Sequence, residues 1–356
     1  MRVTTSAEAA ALDARAISGG TPARELMQRA GEAAVAAIAC AYPDVAGAAV
    51  YVYAGPGNNG GDGWVVAHAL AKLGARVYVR EAGEARSEES KSARALAAPL
   101  VTQGESGGAR FVVDALLGVG ATGEPRGEIA ACVARIAQAR AAGATVVSID
   151  IPTGVDADSG SATHAVHADL TLTFGTMKRG LTIARGHTGR IVALDIGLGA
   201  DAPADTMPRL IDARWVRGHV PPIAADAHKG TRKKLIIIGG QLGMAGAPML
   251  AARAAMRSGI GMVRLVVARE NVPVVQSAVP EAPAHEWPES ADDVERVVTS
   301  WADAVVIGPG LGASYGSRAL VGRVLRAFRG PVVLDADALN VFAGEPEQLS
   351  ELRGDR

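Results

Sequence analysis

Aromatic side chains are scarce, at 4% of 356 residues. A core for a chain this long is therefore expected to be built from Ala, Val, Ile and Leu, which the 49% hydrophobic content supplies. Cysteine is nearly absent. Cys40 and Cys132 lie far apart and form neither a CxxC nor a metal spacing, which points away from a disulfide scaffold or a zinc module. Both read as small hydrophobes in Ala-rich helices of a cytoplasmic protein. No apolar run reaches the roughly 20 residues a membrane-spanning helix needs. The N-terminal "MRVTTSAEAAALDARAI" carries charges through its apolar stretch, unlike a signal peptide or an anchor. A dominant charge is lacking too. The net charge of −1 argues against a nucleic-acid surface spread over the whole protein.

What is present is alternation. Short Val/Ile-rich runs occur at Ala48–Gly55, Ala75–Arg80, Arg110–Gly118, Thr145–Pro152, Asp169–Gly175 and Gly189–Gly197, with helical composition between the first four. This is the pattern of a parallel sheet covered on both faces. Residues 1–45 read as helices before the first strand. A stretch with four prolines and no clear period follows Gly197. A second α/β series then begins, at Lys233–Gly240, Gly261–Ala268, Asp303–Gly312 and Pro331–Asn340. The expected organisation is a first domain over 1–215, a linker over 216–227 and a second domain over 228–356.

In open α/β sheets, ligands bind beyond the carboxyl ends of the strands. Several distinctive residues fall there. The glycine-rich turn Gly55–Gly63 ("GPGNNGGDG") ends the first strand, and a following helix would offer free N–H groups to phosphate. It is not a P-loop, because no GK[ST] follows. Asp62 is either a cap of that helix or a contact to a substrate hydroxyl. Asp114 and Asp150 end two further strands, and Lys178 follows a third. Asn59, Asp114 and Thr153 offer hard oxygens suited to a cation, with loop capping as the alternative role for the last two. His164 and His167 form an HxxH without a third ligand, which reads as a solvent-exposed loop pair. His68 reads as a packing residue. The basic "HKGTRKK" at His228–Lys234 reads as the start of the second domain.

The segments "AGPGNNGGDG", "DALLGVGATGE", "SIDIPTGVDADSG" and "TFGTMKRG" occur in order over roughly residues 1–215. Together they resemble the NAD(P)H-hydrate epimerase family, the N-terminal half of bacterial bifunctional NAD(P)H-hydrate repair enzymes. "HKG", "IIIGGQLGMAGAPMLAARAAMRSGIGMVRL", "VIGPGLG" and "VVLDADALN" resemble the partner domain, an ADP/ATP-dependent NAD(P)H-hydrate dehydratase. The resemblance implies a Rossmann-like three-layer α/β/α epimerase domain followed by a ribokinase-like α/β domain. It implies a substrate hydrated at C6 of the nicotinamide ring, whose R and S epimers the first domain interconverts. Asn58, Asn59, Gly60, Gly61 and Asp62 would contact the hydrate. Gly118, Val119, Gly120, Ala121, Thr122, Gly123 and Glu124 would wrap it. Potassium would sit on Asn59, Asp114 and Thr153, the last standing where relatives often carry serine. Asp150 would contact the reacting ring. It is the first choice for acid–base catalysis and Lys178 the second.

In the second half, Ala247 and Gly310 match positions that contact substrate in dehydratases. The family's later elements, including a GxGD-type turn with the catalytic base, lie beyond "DADALN". The second domain is therefore expected to be incomplete, a sheet of four strands with an open edge and no productive use of ADP or ATP. The resemblance implies no membrane or nucleic-acid partner, and a homo-oligomer is the expected assembly. The competing functions are a non-catalytic scaffold on the epimerase fold and a small-molecule kinase. Intact "NNGGD", Asp114, Asp150 and Lys178 favour the enzyme over the scaffold. The missing GxGD turn weighs against the kinase.

Overall fold

The computed structural model describes residues 1–104, 108–198 and 208–353. Residues 199–207 of the proline-rich connection and the final "GDR" lie outside the described residues. The chain divides into two units, residues 1–220 and 221–356.

The first unit starts with a two-residue strand β1 (Val3–Thr4), then α1 (Ser6–Ser18) and α2 (Ala23–Ala41). A capping box between Thr5 and Glu8 starts α1. Then come β2 (Ala49–Ala54), α3 (Asn58–Lys72), β3 (Arg76–Glu81), α4 (Glu88–Ala97), β4 (Thr102–Gln103), β5 (Phe111–Ala115), α5 (Gly127–Ala141) and β6 (Thr145–Ile149). β7 (Leu170–Phe174), the short β8 (Met177–Lys178) and β9 (Arg190–Leu194) complete the set. Seven strands form a wholly parallel sheet in the order β4-β3-β2-β5-β6-β7-β9. β1 and β8 pair separately, Thr4 opposite Lys178.

The two faces of β2 explain its apolar run. Val50, Val52 and Ala54 pack with Ile38 of α2 and Trp64 and Leu70 of α3, while Tyr51 and Tyr53 pack with Cys132 and Ile136 of α5. Each large apolar side chain fully buried this way contributes about 1.5–3 kcal/mol. The core is mostly Val, Ile, Leu and Ala, as composition suggests. Even so, Trp64, Tyr53 and Phe111 are among its largest fully buried members. Of the two cysteines, Cys132 is buried, but Cys40 is exposed at the end of α2 and does not serve the core. A helix over Ala213–His219, capped by Asp212, occupies a stretch whose sequence shows no period.

In this sheet the strand order reverses between β2 and β5, which is where such folds open a crevice. Both strands end at the same rim. The glycines there permit close approach: a Cβ on Gly55 would lie 1.8 Å from the Leu116 carbonyl oxygen, and one on Gly60 1.8 Å from that of Gly55.

The second unit is a five-stranded parallel sheet, one strand more than the sequence suggests. Its strands are β10 (Lys234–Ile238), β11 (Met262–Val267), β12 (Ala284–Glu286), β13 (Ala304–Ile307) and β14 (Val332–Leu334), in the order β12-β11-β10-β13-β14. Both faces carry a core. Ile236 and Ile238 face one side and Ile237 the other. β12 and β14 are its two edge strands, and Val333 of β14 is 58% exposed.

Candidate functional site

The glycine-rich turn is shorter than its composition suggests. α3 already begins at Asn58, with Gly57 as N-cap and no side-chain cap bond. Asp62 therefore lies on the second turn of the helix and does not cap it. The first backbone N–H groups of α3 have no intrahelical partners, which suits an anion.

Asp150 follows β6 with φ of 64°, a left-handed conformation uncommon outside glycine. Its amide donates to the Leu172 carbonyl at 2.7 Å. Its carboxylate pairs with Lys178, Nζ to Oδ1 2.7 Å, and both side chains are almost fully buried. Lys178 also donates to the Phe174 carbonyl at 2.9 Å. The pairing of β1 with β8 fixes Lys178 from one side, and the end of β7 fixes it from the other.

This pair lies at a cavity of about 540 Å³. Asn58, Asn59 and Asp62 of α3 line it, as do Val119 and Thr176. α1 contributes Ala9, Ala10, Asp13 and Ile17, and α2 contributes Leu26, Met27 and Ala30. Its walls are mainly apolar, and Asp13, Asp62, Asp150 and Lys178 are among its few charged groups, as in most small-molecule sites. Burial holds the Asp62 carboxyl well above the ordinary carboxylate range; the charges of Asp150 and Asp13 add to this and Lys178 opposes it. Asp13 lines the cavity but is exposed to solvent; partial desolvation raises its carboxyl less than that of Asp62, with Lys178 pulling down and Asp150 pushing up. The sequence motifs missed Asp13. The available signal was its spacing, four residues after the buried Ala9 on the same face of α1.

Asp114 is fully buried at the end of β5. Register places it beside Ser148 of β6. Its carboxylate accepts from Ser148 Oγ (2.8 Å), Thr153 Oγ1 (2.7 Å), the Thr153 amide (2.9 Å) and the Leu116 amide (3.3 Å). Burial still pushes its pKa up, against the pull of these bonds. Thr153 Oγ1 in turn accepts from the Leu117 amide at 3.1 Å. Asn59 differs from both. Its side chain is buried, yet neither its oxygen nor its nitrogen has a hydrogen-bond partner. An orphaned buried amide fits a ligand position. For potassium, Asn59 offers a free oxygen and Thr153 one remaining lone pair. Asp114 is already bonded four ways and would have to share.

Gly118 joins these groups, since a Cβ there would lie 3.2 Å from Asn59 Cβ and 3.4 Å from Asp150 Oδ2. Gly118, Ala121 and Gly123 line a small cleft against Ile151, Pro152 and Gly154. Among the segment's other residues, Val119 reaches the main cavity, and Glu124 lies exposed near His164, 3.8 Å away. Gly120 and Thr122 line neither space. The HxxH pair diverges, because His167 stacks on His187 with ring centroids 4.0 Å apart. His68 is buried and bonds the Leu96 carbonyl through Nδ1.

In the second unit, Ala247 and Gly310 are neighbours. A Cβ on Gly310 would meet Ala247 Cβ at 3.4 Å. The turns after β10 and β13, where that sheet's order reverses, are bonded through Gly240 N to Pro309 O (3.0 Å) and Gln241 N to Gly310 O (2.7 Å). No described helix is long and apolar enough to cross a membrane.

Comparison with known proteins places both units. A family described as YjeF-related protein N-terminus matches residues 23–180, and one described as NAD(P)H-hydrate dehydratase matches residues 235–355. The dehydratase likeness thus continues past the last recognised motif to residue 355, which corrects the expectation of an incomplete second domain. The bifunctional NAD(P)H-hydrate repair enzyme of Coxiella burnetii is 38% identical over 96% of this chain and 71% of its own length. The Escherichia coli enzyme of the same description is 38% identical over 91% of this chain and 64% of its own. The crystal structure of an ADP/ATP-dependent NAD(P)H-hydrate dehydratase from Bacillus subtilis, co-crystallised with ATP and Mg2+, is 34% identical over 35% of this chain and 45% of that one, with a TM-score of 0.32. The chain belongs to the bifunctional NAD(P)H-hydrate repair enzyme family, with an epimerase-type first half and a dehydratase-type second half.

Proposed function

We propose that the first unit interconverts the R and S forms of NAD(P)H hydrate. The observation that carries this reading is the buried Asp150–Lys178 pair facing a cavity that Asp62 and the start of α3 also line. The substrate's phosphates suit the free N–H groups of α3, and the nicotinamide ring suits the apolar walls. C6 carries a hydroxyl next to ring nitrogen, so inverting it requires that the bond to one oxygen or to the nitrogen break and re-form. Positive charge developing on the ring favours an anionic surround, and Asp150, held in place by Lys178, supplies it. The excess of carboxylates over lysine at the cavity serves that end of the substrate.

Potassium is proposed at Asn59 and Thr153, with Asp114 sharing. The cation would offset repulsion between Asp114 and the incoming phosphates. Asp114 would also hold Thr153 in place through its two hydrogen bonds. For the second unit we propose the family's other reaction, nucleotide-dependent dehydration, at the turn that carries Gly310 and the start of the helix Gly246–Arg257, which carries Ala247. The chain spans about two thirds of its relatives' lengths, so this activity is tested separately. ADP or ATP is added to the S hydrate and recovery of reduced-nicotinamide absorbance is followed.

The test of the epimerase reading supplies pure R hydrate and separates the epimers over time. Conversion above the uncatalysed rate is expected. No acceleration by folded protein would overturn it.

A further inference from the structure

α1 lies before the residues matched by either family, and no sequence motif marks it, yet it forms part of the cavity wall. It is firmly placed. β1, immediately before it, pairs with the strand that carries Lys178. Thr4 and Thr176 are bonded at 2.8 Å. Ser6 donates to Asp158 through its amide (2.6 Å) and its hydroxyl (2.8 Å). These ties hold the helix over the strand-end rim and bring Asp13 to the cavity. Asp13 thus reaches the cavity from α1, Asp62 from α3 and Asp150 from the end of β6. Lys178 is the lysine among them and is already paired with Asp150.

We propose that Asp13 is a catalytic residue of the epimerase centre, serving one face of the substrate's C6 while Asp62 serves the other. The inference rests on the epimerase reading above. Epimerisation by loss and return of the C6 oxygen needs an acid–base group on each face. A group that protonates the hydroxyl leaving one face must, in the reverse direction, deprotonate water arriving there. A single carboxyl can only return the hydroxyl to the face it left.

The step balances as follows. Protonated Asp62 gives its proton to the C6 hydroxyl oxygen. The C6–O bond breaks with its electron pair on the departing water, and the ring-nitrogen lone pair forms N1=C6. A water from the solvent then adds to C6 on the opposite face and passes a proton to ionised Asp13, while the N1=C6 pair returns to nitrogen. The result is the other epimer, with Asp13 protonated and Asp62 ionised. This is the starting arrangement for the reverse direction, or it resets through solvent. No oxidant or reductant is involved. Burial holds the proton on Asp62, whereas Asp13 is solvent-exposed on α1 and its carboxyl is raised less, so Asp62 keeps its proton more readily than Asp13.

The test follows R hydrate in H₂¹⁸O with the full chain, against a protein-free blank. Wild type is expected to introduce ¹⁸O at C6 as the epimers interconvert. Asp13→Asn is expected to slow inversion about 10²–10⁴-fold while still exchanging ¹⁸O into the starting epimer with retention. Asp13→Glu should recover part of the inversion, and unchanged melting temperatures show that both variants fold. Inversion at the wild-type rate by Asp13→Asn would overturn the proposal. So would equal loss of exchange and inversion. Wild-type inversion without ¹⁸O uptake would remove the C–O cleavage step, and the proposal with it, yet leave the epimerase reading standing. Absence of inversion by wild type would remove that reading itself.

Discussion

Lys178 Nζ lies 2.7 Å from Asp150 Oδ1, and both side chains are almost completely withdrawn from solvent. A buried pair is poor evidence for stability by itself, but removing one partner leaves an uncompensated charge at a cost of about 3–5 kcal/mol. Lys178→Met is therefore expected to lower unfolding free energy by roughly that much. The double variant with Asp150→Asn should recover a large part of it. Denaturant melts of the four proteins in the cycle check this. Additive losses would mean that the two groups are not coupled.

Asp150→Asn keeps the shape of the side chain and removes its charge. With the variant folded, epimerisation is expected to fall about 10²–10³-fold, the usual loss when one preorganised electrostatic contact is removed. Wild-type turnover would leave Asp150 a structural loop residue.

Asp62 sets a pH dependence. Its carboxyl is held well above the ordinary 3.8, chiefly by burial. Between those two values the folded state binds more protons than the unfolded state, so Asp62 lowers stability as pH rises past about 3.8. Asp62→Asn removes this loss. Its stability relative to wild type should therefore increase from pH 4 toward neutrality. A difference that stays flat, or that shrinks as pH rises, contradicts the assignment.

Asp114 accepts four hydrogen bonds, and those from Ser148 and Thr153 tie the end of β5 to β6 and the loop after it. Asp114→Ala leaves Ser148 and Thr153 without their acceptor and is expected to cost roughly 3 kcal/mol or more, read by chemical denaturation. By contrast, Asn59→Ala deletes an amide that has no hydrogen-bond partner among the described residues, and its folding cost should be small. If Asn59 faces potassium, the wild-type melting temperature rises in potassium relative to tetramethylammonium at equal ionic strength. Asn59→Ala should lose that difference. Equal wild-type melting in both salts would remove the cation from the account.

Much of the architecture was legible. Parallel strands read as short apolar runs, and all ten such runs became strands of the two sheets, although β9 and β14 are only partly buried. The two-residue strands β1 and β8 were not legible, because no periodicity exists at that length. Their pairing is nevertheless what holds Lys178 and α1 together. β12 was missed for a similar reason, since three residues beside a proline carry no pattern. The glycine turn was read too long. Asn58–Gly63 has poor helix propensity, yet tertiary packing of Gly60 on Gly55 and Gly61 on Met27 folds it into α3. Asp150, Lys178 and Asn59 were visible because they end strands or sit in motifs. Asp13 was not, since a carboxylate on an amphipathic helix is ordinarily a solvated residue, and only the tertiary placement of α1 turns it toward the cavity.

The measurement that bears most directly on the account is epimer separation after mixing pure R hydrate with the purified 356-residue chain, beside a protein-free control and Asp150→Asn. The account predicts rapid approach to the equilibrium mixture of R and S with wild type, and a rate reduced at least 100-fold with the folded variant. A wild-type rate equal to the control would contradict the central claim.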